Sequence, residues 1–241
     1  MSVKQPAFQI LAALLHYPNQ ALLAALETVR AAVAAETLFQ PDEAAAIDAF
    51  ASALSKADLI DSQARYVDTF DRGRARSLYL FEHVYGESRD RGQAMVELTR
   101  IYRQHGLEIA ARELPDYLPL YLEFLALLPP AQAVPRLAEI APLVAHLYAQ
   151  LTKHNSAYAV LLQPLLRLSG VLANDAGVHA QVAAQAPDDT PAALDAAWIE
   201  APVTFAPATG CGGSGGAASE HTIQWHDRRS TDRPGGGTGG K

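Results

Sequence analysis

From Tyr66 to Phe124 the chain is dense in aromatic residues and paired charges, and this is where binding chemistry can be sought. Tyr66 and Phe70 lie four apart, and Leu78, Phe81 and Tyr85 continue at intervals of three and four, a spacing that predicts one helical face of large rings. Such rings serve equally as core or as the wall of a recess. Farther on, Pro115 fixes the entry to a helix that presents Tyr117, Tyr121, Phe124 and Leu125, with Asp116 expected as its cap. Glu113, Asp116 and Glu123 then set carboxylates beside aromatic and leucine surface, the chemistry that receives an amphipathic basic helix. Between these segments Glu87, Arg89, Asp90 and Arg91 crowd a helix start. Cations are disfavoured there, so Arg89 and Arg91 need carboxylates, for which Glu82, Asp116 and Glu123 are the candidates.

Catalytic chemistry has no comparable foothold. His83, His105, His146, His154 and His179 show neither HxxxH nor HExxH spacing, so no metal site is predicted. Ser77, Ser88 and Ser169 lack a GxSxG context, and no glycine-rich phosphate loop follows a strand pattern. Cys211 is the single cysteine, which excludes an internal disulfide or a cluster built from the chain's own thiolates; its glycine neighbours do nothing to lower its pKa. The expectation is a protein that is not an enzyme and carries no cofactor.

The elements that must position the central segment read as helices almost throughout. Phe8, Leu11, Leu14 and Leu15 fall at helical spacing up to Pro18, and a second helix can start at Asn19. Pro41 and Asp42 open a third, with Ile47, Phe50 and Leu54 on one stripe. Leu137, Ile140, Val144, Leu147, Tyr148 and Leu151 form a broad apolar face, and Ser156 can cap a run through Leu161, Leu165, Leu168 and Leu172. Pro142 and Pro164 inside these patterns predict kinks or breaks. Asp188 to Pro191 signal a last short helix through Trp198. The fold class is therefore all-α, a single-domain helical bundle.

Ten of the 16 glycines fall in the last 41 residues, so residues 1–200 are assigned to the helical domain and 201–241 to a disordered, flexible Gly-rich tail. A formal charge of −7 without a long basic run argues against nucleic acid as a partner. Neither a spanning segment nor a cleavable leader is apparent, and the expected location is the cytoplasm, as a monomer.

The run FDRGRARSLYLFEHVYGESRDRGQAM followed by ELPDYLPLYLEFL closely resembles the NarJ-type nitrate reductase assembly chaperones, within the wider redox-enzyme maturation chaperone family. The likeness extends from LLHYP near the start through ALDAAWIEAPVTF to the GCG of the tail, about the first 212 residues. It implies a cytoplasmic helical chaperone that binds the N-terminal segment of the respiratory nitrate reductase catalytic subunit. It further implies help with insertion of the bis-molybdopterin guanine dinucleotide cofactor and iron–sulfur clusters before membrane docking, contact with molybdenum cofactor delivery proteins, and absence from the finished enzyme. A second reading is an adaptor for another molybdoenzyme reductase.

In that wider family an acid, proline, Asp and His or aromatic motif helps line the peptide groove, and Glu113, Pro115, Asp116 and Tyr117 match it. Tyr117 stands where His is common, so pH-sensitive recognition through that position is not carried over. The expected groove has Tyr66, Phe70, Leu80, Phe81, Tyr117 and Tyr121 as apolar wall and Glu113, Asp116 and Glu123 as acceptors of basic groups. Glu82, Arg89 and Arg91 are expected to brace it.

Overall fold

In the computed structural model, residues 4–85, 89–109 and 113–197 are described, apart from the side chains of Arg89, Leu194, Ala196 and Ala197. The expectations for Trp198, for Cys211 and for the 201–241 tail lie outside them. The helices are α1 (Pro6–Leu15), α2 (Gln20–Ala35), α3 (Pro41–Lys56), α4 (Leu59–Phe70), α5 (Glu82–Tyr85), α6 (Arg89–Gln104), α7 (Leu118–Leu127), α8 (Pro130–Lys153), α9 (Gln163–Ser169), α10 (Ala176–Ala184) and α11 (Pro191–Ala197). Two 3-10 turns, Arg74–Arg76 and Ala157–Leu161, complete an all-α fold.

Helices α1 and α7 are apolar nearly all round, and a helix of that kind belongs at the centre of a bundle. Phe8, Leu11, Leu14 and Leu15 of α1 and Leu118, Leu122 and Leu125 of α7 are all almost completely buried. The two helices pack together, with the Lys4 and Gln5 amides donating to the Ala126 carbonyl at 2.9 and 3.0 Å. His16, just past the other end of α1, meets Tyr117 just before α7, so the pair runs antiparallel. Around it, α2 packs on α1 and α3, and α8 carries α9 and α10.

Local signals set the boundaries. The Asn19 side chain caps α2 by accepting the Leu22 amide at 2.8 Å, and the Asp58 carboxylate caps α4 through the Ile60 amide at 2.8 Å. Glu43 turns back to the Gln40 amide at 2.8 Å while holding the Arg167 guanidinium through two 2.8 Å bonds, which ties the start of α3 to α9.

Three expectations need correction, and one holds. Pro142 does not break its helix: α8 runs through both Pro135 and Pro142, because Leu137, Ala141, Val144, Leu147 and Tyr148 are buried along its length and outweigh one lost backbone bond. The break expected at Pro164 is present, since a 3-10 turn ends at Leu161 and α9 starts at Gln163 with the proline in its first turn, where no donor is needed. The run after Ser156 is a 3-10 turn followed by α9, which Gly170 ends in the left-handed region at φ 80°, leaving Leu172 78% exposed beyond it. The ring-bearing face from Tyr66 to Tyr85 is not one helix, since α4 stops at Phe70 and Leu78–Phe81 is a bend, a single bridge residue and a turn.

Candidate functional site

The stretch Leu78–Phe81 lies against Asp116–Leu118. Tyr79 and Tyr117 form an isolated antiparallel bridge, the Leu118 amide donates to the Leu78 carbonyl at 2.8 Å, and the Leu80 amide donates to the Asp116 carbonyl at 3.0 Å. Asp116 is fully buried and does not cap α7. Its Oδ2 accepts the Phe81 amide at 3.0 Å, while Tyr117 occupies the cap position without a side-chain bond.

Arg91, at the start of α6, reaches Glu82 at 3.3 Å and lies 4.0 Å from Asp116. Burial pushes the Asp116 carboxyl up, opposed by the Phe81 amide and the Arg91 charge. Arg91 thus joins Glu82 and Asp116 across three elements, whereas the side chain of Arg89 lies outside the described residues. Phe81 is half-buried, its ring edge-on to Tyr85 at 5.6 Å.

The aromatic residues expected as wall lie beneath the surface. Tyr66, Phe70, Leu80, Tyr117 and Tyr121 are each at most 5% exposed. Tyr66 and Phe70 meet with tilted rings, centroids 4.8 Å apart, and the Tyr66 hydroxyl donates to the Leu15 carbonyl at 3.0 Å. Tyr121 lies apart from this group, packed on Phe124 with its hydroxyl donating to the Arg136 carbonyl of α8 at 3.1 Å. Burial pushes the Tyr117 phenol up to about 12, so it is a neutral donor at any physiological pH.

What lies over these rings is a surface the sequence reading did not single out. Ile60, Ala64 and Val67 are exposed on one face of α4, and Tyr17, also exposed, sets its ring edge-on to Tyr66 at 5.3 Å. Gln63 fixes the α1–α2 turn to α4 by donating to the Pro18 carbonyl at 2.9 Å. Continuing along α4, the stripe reaches Asp71, whose carboxyl is pushed up by burial and by the nearby Glu113 and Glu82 charges. The Tyr79 hydroxyl donates to Glu113 at 2.7 Å, and its ring lies 5.4 Å from Tyr117. A cleft of about 400 Å³ opens among Phe70, Asp71, Tyr79, Glu82 and Asp188. Glu123 is half-exposed and pairs with His16 Nε2 at 3.2 Å. Pro115 receives the Tyr102 hydroxyl on its carbonyl at 2.8 Å, which fastens α6 under the acidic segment. The ingredients are an apolar strip ending in a cluster of carboxylates, with Arg72 and Arg74 lining the same cleft and Arg91 paired to Glu82.

No group of three or more metal-ligating side chains gathers among the described residues. His83 and His146 do approach each other, ring to ring at 6.1 Å, but His83 Nε2 already bonds the Ser77 carbonyl at 2.8 Å. Among the described residues no helix is long and apolar enough to cross a membrane.

Residues 36–162 match the family model for the nitrate reductase delta subunit. The nitrate reductase molybdenum cofactor assembly chaperone NarJ of Escherichia coli K12 is 48% identical over 220 residues, which cover 91% of this chain and 90% of the relative. The probable chaperone NarW of the same organism is 42% identical over 82% of both chains. A probable NarJ of Bacillus subtilis is 40% identical over 42% of this chain and 55% of its own length. These relatives are named as assembly chaperones rather than catalysts, and with matches of this extent the chain belongs to the nitrate reductase delta subunit family of molybdenum cofactor assembly chaperones.

Proposed function

We propose that this protein is a cytoplasmic, monomeric chaperone that binds the N-terminal segment of a respiratory nitrate reductase catalytic subunit. It keeps that subunit open to molybdenum cofactor and iron–sulfur cluster insertion before membrane docking, meets cofactor delivery proteins while doing so, and leaves before the enzyme is finished. The relatives' names give the maturation role. The observation that carries the peptide-binding part is the exposed Ile60, Val67 and Tyr17 strip running into Asp71, Glu82 and Glu113, with the Asp71 carboxyl pushed up by burial and then by the Glu113 and Glu82 charges. An amphipathic helix with a basic end matches it in shape and charge. On this reading Glu113, Glu123 and Asp71 meet the cations. The buried Asp116, Pro115, Tyr117, Tyr66, Phe70 and Leu80 hold the floor, while Phe81 lies at its edge.

A bound segment of about 15 residues costs on the order of 1 kcal/mol per residue to order. Four or five buried anchors at about 1.5–3 kcal/mol each nearly cancel that, so charge pairing decides whether binding is useful. The test is calorimetric titration with a synthetic peptide of the catalytic subunit's N-terminus, against wild type and Val67→Glu. One-to-one binding with a negative heat-capacity change that Val67→Glu abolishes supports the reading. Absence of heat at several temperatures sinks it, and the adaptor alternative for another molybdoenzyme then takes its place.

A further inference from the structure

A larger cavity, of about 800 Å³, lies on the other side of α4 and takes no part in the surface just described. Helices α3 and α4 follow one another with only Ala57 and Asp58 between them, yet α3 packs on α2 and on the Ala157–Leu161 turn rather than along α4. The space left between them is floored by Phe50 and Tyr158, which meet edge-on at 5.0 Å. Ala46, Ala49 and Ala53 line its α3 wall at helical spacing, so a backbone can approach closely.

The polar groups of this cavity are unequal. Asp68 is paired with Arg72 at 3.0 Å, and Asp189 with Arg76 at 3.0 Å. Arg76 Nη1 donates to His154 Nε2 at 2.9 Å, so the histidine is also satisfied. Arg65 has no carboxylate partner among the described residues; its guanidinium makes long contacts to the Asp61 carbonyl at 3.3 Å and Ser62 Oγ at 3.4 Å. Tyr158 is mostly buried at 7% exposed, but its hydroxyl is not among the buried polar atoms left without a partner and opens onto the cavity, where water can reach it. Arg65 lies near enough to act on that phenol electrostatically. An apolar trough with a cation that has no carboxylate partner, and a phenol open to the cavity beside it, fits one kind of occupant.

We propose that the α3–α4 cavity is a second docking site, which takes a partner helix with a small-to-medium apolar face and one acidic side chain set against Arg65 and Tyr158. Its charge preference is opposite to that of the acidic surface beyond α4, so one chain can hold two segments of different sign at once. This inference does not depend on the identity of the segment bound at the first surface.

The probe is a fluorescently labelled, end-blocked peptide of alanine and leucine about 14 residues, or roughly 21 Å of helix, long. It carries a single central Glu, and a second peptide carries Lys at that place. The full chain is titrated with each and followed by anisotropy at low salt. The Glu peptide is expected to bind saturably and about three- to fivefold more tightly than the Lys peptide, the range for a partly exposed ion pair. Arg65→Glu is expected to invert that order. The double variant Ala49→Leu and Ala53→Leu, at exposed positions, is expected to fill the trough and abolish binding with unchanged circular dichroism. Amide exchange on wild type gives a readout free of any variant: the bound Glu peptide should slow exchange at residues 46–54 and 157–160. Equal affinity for the two peptides, indifference to Arg65→Glu, or protection elsewhere would overturn the proposal. So would sedimentation showing a wild-type dimer that the double variant dissolves, since the occupant would then be a second copy of the chain.

Discussion

The hydroxyls of Tyr66 and Tyr117 meet at 2.8 Å beneath the end of α1, and the direction of that bond follows from proton counting. Tyr66 has one hydroxyl proton, and the Leu15 carbonyl at 3.0 Å can only accept, so Tyr117 is the donor to Tyr66. The chain of bonds runs from α7 to α4 to α1, all of it buried.

The two tyrosines are therefore not equivalent. Tyr66→Phe leaves both the Leu15 carbonyl and the Tyr117 hydroxyl without a partner, and is expected to cost about 1–3 kcal/mol. Tyr117→Phe leaves the bond from Tyr66 to Leu15 intact and should cost less than about 1 kcal/mol. Urea unfolding of the two variants checks the order; equal losses would mean the donor assignment is wrong.

Gly73 is a second point of tension. A Cβ there would stand 2.6 Å from the Asp188 carboxylate, the same group that accepts the Ala75 amide at 2.7 Å. Gly73→Ala must push Asp188 away and is expected to destabilise by about 1–2 kcal/mol through that lost bond. In an Asp188→Ala background the same change should cost almost nothing. A double-mutant cycle by thermal unfolding reads the coupling, and additivity would show that the strap carrying Asp188 does not rest on Gly73.

The acid limb of stability should be set first by histidines. Burial and the adjacent Arg76 hold His154 below its ordinary value, and burial and His83 do the same for His146. As pH falls below about 6.5 the unfolded chain takes up protons that the folded chain refuses, so stability falls with pH there. The raised carboxyls of Asp71 and Asp116 act in the opposite sense: the folded chain accepts their protons first, at lower pH. His154→Gln keeps an acceptor for Arg76 without a titrating ring. It is expected to lessen the drop in Tm between about pH 7 and about pH 5.5, and an unchanged drop would remove His154 from the account.

Binding of a basic peptide should follow Asp71. Its carboxyl must be ionised to meet a cation, and burial together with the Glu113 and Glu82 charges raises its pKa, so affinity should weaken in mildly acidic solution and Asp71→Asn should flatten that profile. Calorimetry across pH at constant ionic strength measures it, and identical profiles for both proteins would exclude Asp71 from the contact.

Much of the helical scaffold could be read from local chemistry. Asn19, Asp58 and Pro41 mark helix starts with groups that act within a turn or so of where they stand. The pairing of Leu78–Phe81 with Asp116–Leu118 could not be read, because about 35 residues separate partners such as Phe81 and Asp116 and no turn motif joins them. Helical spacing identified Tyr66, Phe70, Tyr117 and Tyr121 as sharing faces, but a shared face does not say whether it meets the body or a visitor. The exposed strip had a legible signal that went unused: Ile60, Ala64 and Val67 recur at four and three on the side of α4 away from Tyr66. Arg76 had none, since its burial depends on Thr69, His154 and Asp189 arriving from three directions.

The antiparallel pairing of α1 with α7 also governs how the protein is made. The contact from His16 to Glu123 spans 107 residues, so α1, apolar nearly all round, emerges from the ribosome long before its partner. At about 5–20 residues per second, that interval is on the order of 5–20 s. During it Phe8, Leu11, Leu14 and Leu15 have no α7 to cover them. A chaperone with this topology begins life needing shelter of its own.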